Sequence, residues 1–107
     1  MPVITLPEAV ETFVATTNAH DGDALFALFA PGATVIDDGA TFATDEEIRG
    51  FIKAQLVDPK VVITPTSYED GRLVASCDGE FPGGPLTFAF VFTTKDDAIT
   101  HLSIDVA

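Results

Sequence analysis

One carboxylate stands apart from the chain's other acids. Asp37 ends the run Ala33-Thr34-Val35-Ile36-Asp37, which reads as a short strand, and it shares a strand face with Val35. The residues around it are apolar, aromatic or turn-forming. An acid aimed from a strand into an oily interior has its charged form disfavoured, which raises its pKa as a general base requires. The chemistry within reach is proton transfer by a carboxylate base. Asp37-Asp38-Gly39 also reads as a turn with solvated carboxylates. Both readings are open on the sequence alone.

Other reactive side chains are less well placed. His101 and Asp105 share a strand, but Leu102, Ile104 and Val106 form the apolar set that should face the core. His101, Ser103 and Asp105 then point to the outer face. His20 follows a helix end and is expected to meet the helix C-terminus or solvent. With two distant His, one Cys and no HxH or CxxC spacing, no metal site is expected. Cys77 has the inward parity of Leu73 and Ala75 and reads as an inert small wall or core residue. Ala75, Cys77 and Gly79 are all small on that face, so the Phe rings opposite leave either a filled core or a ligand-sized gap. No phosphate loop, nucleophile elbow or Schiff-base lysine is recognisable, and Lys53, Lys60 and Lys95 read as exposed. No cofactor is expected.

The elements that hold these residues fall into two halves. Thr5 with Glu8 forms a capping-box pattern, with Pro7 in the first turn, opening a helix on which Leu6, Val10, Phe13, Val14 and Thr17 share a face. Asp21 caps a short second helix burying Leu25, Phe26, Leu28 and Phe29, stopped by Pro31-Gly32. Thr44 with Glu47 opens a third, with Ile48, Phe51, Ile52 and Leu56 inward. Then come β-rich runs at Lys60 to Tyr68, Arg72 to Phe81, Leu86 to Thr94 and Ala98 to Val106, separated by turn-forming clusters including Pro82-Gly83-Gly84-Pro85. Helices followed by an antiparallel meander indicate an α+β fold, with helices covering one face of a curved sheet. Leu86, Phe88, Phe90 and Phe92 share one face of their strand. Thr87, Ala89, Val91 and Thr93 share the other, a candidate subunit interface.

Size and charge narrow the function. The 107 residues suffice for one core, so residues 1–107 read as a single domain. Seventeen acids against five basic residues give a net charge of −12, which opposes binding to phosphate backbones or anionic membranes. No apolar run approaches the roughly 20 residues of a membrane helix, and no leader is visible. A single cysteine suits a reducing compartment. These features predict a soluble, unprocessed cytoplasmic protein.

With its elements placed, the chain resembles the nuclear transport factor 2-like superfamily, the cone-shaped α+β fold of ketosteroid isomerases and SnoaL-like polyketide cyclases. The resemblance spans nearly the whole chain. It is closest in TFVATTNAHDGDALFALFAPGATVID, residues 12–37, and in EIRGFIKAQL, residues 47–56. It implies three helices on the concave face of the sheet and places Asp37 where the isomerases carry their base. Those enzymes add a helix-1 tyrosine and a neutral carboxylic acid as donors to the enolate. Here the tyrosine position is Phe13 and the acid position falls on or beside Phe88, and neither ring can donate. The scaffold is therefore expected without steroid isomerase activity.

The resemblance thus implies a pocket for a small apolar or neutral molecule and, if the protein is an enzyme, a cofactor-free isomerase, cyclase or hydratase-type reaction with Asp37 as candidate base. The pocket walls would be Phe13, Phe26, Val35, Phe42, Phe51, Cys77, Phe88, Phe90 and Leu102, in a homodimer paired through the outer sheet face. The alternative is a non-enzymatic module whose pocket is filled and whose sheet face binds protein.

Overall fold

The computed structural model describes residues 5–81 and 83–107. Helix α1 runs from Glu8 to Asn18, α2 from Gly22 to Phe26 and α3 from Asp45 to Ile52. Strands β1 (Phe29–Asp37) and β2 (Ala40–Phe42) separate α2 from α3. Then β3 (Val62–Glu69), β4 (Arg72–Asp78), β5 (Leu86–Lys95) and β6 (Ala98–Val106) follow. The sheet order is β2-β1-β6-β5-β4-β3. Neighbours are antiparallel except at one join, where β1 runs parallel to β6 with Val35 opposite Leu102 and Asp37 opposite Ile104. This is an α+β fold with a curved, unclosed six-stranded sheet.

Two helix starts follow the sequence and one does not. Asp21 Oδ1 accepts from the Ala24 N–H at 3.1 Å, and Thr44 Oγ1 accepts from the Glu47 N–H at 3.1 Å. The Glu47 carboxylate reaches back to the Ala43 N–H at 3.1 Å, completing a reciprocal cap. The Thr5–Glu8 box does not form. Pro7 is extended, with φ −58° and ψ 153°, and itself occupies the N-cap without a side-chain bond. Helix α2 is also shorter than expected. Phe29 already belongs to β1, because the Ile99 N–H donates to the Leu28 carbonyl at 2.8 Å and draws the chain onto the sheet before Pro31-Gly32. Of the turn expected at 82–85, Pro82 lies outside the described residues, and β4 ends at Asp78 rather than Phe81.

Between helices and sheet lies one apolar core. Val10 and Phe13 from α1, Leu25 from α2, and Ile48, Phe51 and Ile52 from α3 meet Val35, Leu73, Phe90, Phe92 and Leu102. Phe13, fully buried, stands edge-on to Phe92 at 5.2 Å and to Phe90 at 5.9 Å between ring centroids. Such pairs favour these tilted arrangements because ring edges carry positive and ring faces negative charge. The parity assigned to β6 buries Leu102 and Ile104, but Val106, in register with them on the same face, is 71% exposed at the strand's end.

The end of α1 is tied to the outermost long strand by a single side chain. Asn18 donates from Nδ2 to the Ile63 carbonyl at 3.1 Å and accepts from the Ile63 N–H at 2.7 Å. Both main-chain groups of a buried residue are thereby satisfied. After Asn18, His20 takes a left-handed φ of 57°, which ends the helix. Replacing Asn18 with Ala strands a buried donor and acceptor at Ile63, so a loss of about 1–3 kcal/mol in folding stability is expected. Urea denaturation measures it, and amide exchange should accelerate at Ile63 first.

Candidate functional site

Asp37 reaches the site by a local device. Asp38 and Gly39 form a two-residue hairpin turn with φ of 50° and 83°, the conformation in which Asp-Gly is favoured between β1 and β2. Asp37 precedes that turn as the last residue of β1, paired with Ala40 across the hairpin and Ile104 across the parallel join. The two uses of Asp37-Asp38-Gly39 thus fall on different residues. Asp38 is exposed in the turn, whereas Asp37 is half-buried and lines a cavity.

This cavity measures about 210 Å³ and opens to solvent on one side. Phe51, Leu56, Val61, Cys77, Phe90 and Ile104 form buried walls, while Phe81, Phe88, Pro59 and Gln55 stand nearer the mouth. Of the wall residues expected from sequence, Phe51, Cys77, Phe88 and Phe90 line it. Phe13, Val35 and Leu102 do not. They are fully buried, and the aromatic packing around Phe13 closes the deep end of the cone. Phe42 is held behind Phe51, at 5.1 Å between centroids, and Phe26 lies under the Arg49 guanidinium at 4.0 Å.

Sequence reasoning missed Gln55, Pro59, Val61 and Phe81, and read Leu56 and Ile104 as core residues rather than cavity wall. After α3 the chain widens into a π-helical turn, Lys53–Val57, in which the Asp58 N–H reaches the Lys53 carbonyl at 2.9 Å. The extra residue in that turn brings both Gln55 and Leu56 to the cavity, and such bulges recur at functional sites. Phe81 is seated by two glycines. A Cβ on Gly84 would lie 2.6 Å from its ring, and one on Gly79 would lie 3.0 Å from the ring and 2.8 Å from the Pro59 carbonyl oxygen. The Glu80 N–H bonds that same carbonyl, fixing the two sides of the mouth together. The flanking glycines were the available signal.

The site's electrostatics are one-sided. Among the described residues no hydrogen bond or ion pair reaches the Asp37 carboxylate. Burial holds its pKa above the ordinary 3.8, and the carboxylates of Asp38 and Asp105 push in the same direction. Burial also pushes the Cys77 thiol up to about 11, so it stays protonated. The lining side chains therefore offer one carboxylate acceptor, and as donors only the exposed Gln55 amide and a weak thiol. His101 and Ser103 lie half-buried on β6, apart from the cavity. His20 Nε2 is buried at the end of α1 with no hydrogen-bond partner among the described residues.

A raised folded-state pKa gives a definite sign to pH dependence. Between the unfolded and folded values the native state binds more protons, so stability falls as pH rises through that window and the cost persists above it. Asp37→Asn removes the cost. Its melting temperature should equal or exceed that of wild type at pH 7, with the difference closing as pH falls toward 3.8 and below. A variant less stable at pH 7 than at pH 4, relative to wild type, would show a carboxylate stabilised by the fold instead. Thermal unfolding monitored by circular dichroism across that range distinguishes the two.

Comparison with known proteins adds the lineage. A SnoaL-like domain matches residues 10–102, most of the chain. A candidate polyketide cyclase from Sinorhizobium meliloti is 32% identical, with 94% of this chain and 95% of that one aligned at a TM-score of 0.82. A Catenulispora acidiphila protein of ketosteroid isomerase-like fold, in complex with trimethylamine, is 28% identical over 96% and 88% of the two chains, with a TM-score of 0.80. At 22% identity, a Sphaerobacter thermophilus protein shares the fold, with 98% of both chains aligned and a TM-score of 0.73. Among curated proteins, none is similar enough to count as a relative. The chain belongs to the SnoaL-like domain family, built on the nuclear transport factor 2-like fold of the ketosteroid isomerases.

Proposed function

We propose that this SnoaL-like protein binds a small molecule in the Asp37 cavity and that Asp37 serves there as proton acceptor. The observation that carries the reading is a half-buried carboxylate with no partner among the described residues, set in a cavity whose other walls are almost all carbon. An acceptor in such surroundings gains more from taking a proton than one in water does. The reaction class this supports is cofactor-free isomerisation or cyclisation through loss of a proton next to a carbonyl.

Size and donors limit the substrate. An apolar cavity of roughly 150 Å³ accommodates benzene, so about 210 Å³ suits a monocyclic or short branched molecule rather than a four-ring steroid. The trimethylamine seen with the Catenulispora protein is of that small scale. With Phe at positions 13 and 88, an enolate finds no preorganised donor pair. Each missing donor typically costs about 2.7–4 kcal/mol in the transition state.

Assembly and location extend the proposal. The outer sheet face presents Val91, 41% exposed, beside Thr87, His101 and Ser103. Pairing this face with itself about a two-fold axis would cover it in a homodimer. No helix among the described residues is long and apolar enough to cross a membrane, and a buried thiol at Cys77 fits a reducing, cytoplasmic setting.

Three measurements test these points. Deuterium exchange at the α-carbon of cyclohexanone, followed by NMR in D2O, should be accelerated by wild type and not by Asp37→Asn. In the same assay series, a Δ5-3-ketosteroid should remain unconverted, and turnover of about 1 per second or more would contradict the size and donor argument. Sedimentation at micromolar concentration should give a dimer mass, reduced to the monomer by Val91→Glu. A wild-type monomer would remove this face as an interface.

A further inference from the structure

We infer that the cavity selects a compact alkylammonium cation over a neutral or anionic molecule of the same shape. The inference rests on the cavity being a ligand site, as proposed above, and concerns the charge of what enters it. Three independent features of the lining point the same way.

Four wall residues are phenylalanines, Phe51, Phe81, Phe88 and Phe90, contributed by α3, the β4–β5 connection and β5. Aromatic faces carry the negative end of the ring quadrupole and attract alkylated ammonium groups more than neutral ones. At about 210 Å³ the space is small enough that an occupant touches opposite walls, so several rings act on it together.

The second feature is a charge without a counter-charge. The Asp37 carboxylate lines the cavity with no ion-pair partner among the described residues, and Asp38 and Asp105 add to the negative potential around it. The third is that every basic residue of the chain is committed or absent from this wall. Arg49 pairs with Asp23 and covers Phe26, Lys53 pairs with Asp58, and Lys60 pairs with Glu80. Arg72 and Lys95 sit at the start of β4 and the end of β5 and do not line the cavity. Among the described residues, an anion entering this space meets no positive group on its walls. A neutral molecule gains only apolar burial. An alkylammonium gains that burial together with the carboxylate and the rings, while its methyl groups avoid the hydration penalty that a bare ammonium would carry into an apolar cavity.

Three near-isosteric probes separate charge from shape: tetramethylammonium, tert-butanol and pivalate, each titrated into the whole protein at low ionic strength and neutral pH and followed by NMR. Tetramethylammonium should bind saturably, about tenfold tighter than tert-butanol, with shifts at Phe51, Phe81 and Phe88, and pivalate should not bind. Asp37→Asn and Phe81→Leu should each weaken the cation severalfold while leaving tert-butanol unchanged. Equal affinity of cation and alcohol for wild type would overturn the inference while leaving the cavity as a ligand site. Cation binding that survives both substitutions would also overturn it, by placing the ion on the acidic surface. Failure of all three probes to bind would remove the ligand site itself, and this inference with it.

Discussion

The edge-on packing of Phe13 against Phe90 and Phe92 decides where this protein is solid and where it is hollow. Three rings from a helix and a strand fill the narrow end of the cone, joined by fully buried Val35 and Leu102. What remains open is a space near the rim, between the π-helical turn, β4, β5 and the end of β1. Position 13 is where the resemblance to the isomerases would require a donor. A phenyl ring there carries no hydroxyl, and it stands fully buried against Phe90 and Phe92 rather than at the wall of the open space.

Asp37 shows how a fold holds a carboxylate it does not stabilise. The strand end is fixed from both sides, by the hairpin to Ala40 and by the parallel join to Ile104. Neither constraint needs the side chain. Backbone pairing therefore carries the positional burden, and the carboxylate is left free of the donors that would quench its basicity. The adjacent turn depends on residues that tolerate positive φ, so Asp38-Gly39 and the strand-ending Asp37 form one short segment with separate duties.

Much of this was legible in the sequence because it depends on local rules. Alternation in β5 and β6 told which side chains face inward, and capping patterns at Asp21 and Thr44 placed two helix starts. Parity also put Cys77, Phe88 and Phe90 on the face that lines the cavity. The same alternation could not say which inward residues meet one another and which face empty space. That separates Val35 and Leu102, sealed in the core, from Asp37 and Ile104 two residues further along their strands. The distinction arises from how far the helix layer reaches over the sheet. Gln55 escaped for a related reason: the widened turn that presents it consists of main-chain bonds with no residue signature. The Thr5–Glu8 pattern failed because extended Pro7 took the cap position itself.

The clasp between Asn18 and Ile63 reaches further than the stability of one strand. A sheet open at both ends can template growth, because each outer strand offers a row of unpaired amides to another copy. Here the β2 border is three residues long, too brief to recruit a partner ladder. The β3 border is blocked at Ile63 by the asparagine amide, lacks an N–H at Pro65 and breaks register between Pro65 and Ser67. Strand-by-strand polymerisation is therefore closed off at both margins. Copies of this chain that meet are steered toward contacts between surfaces, which saturate after a fixed number of partners, and away from fibre-like extension, which does not.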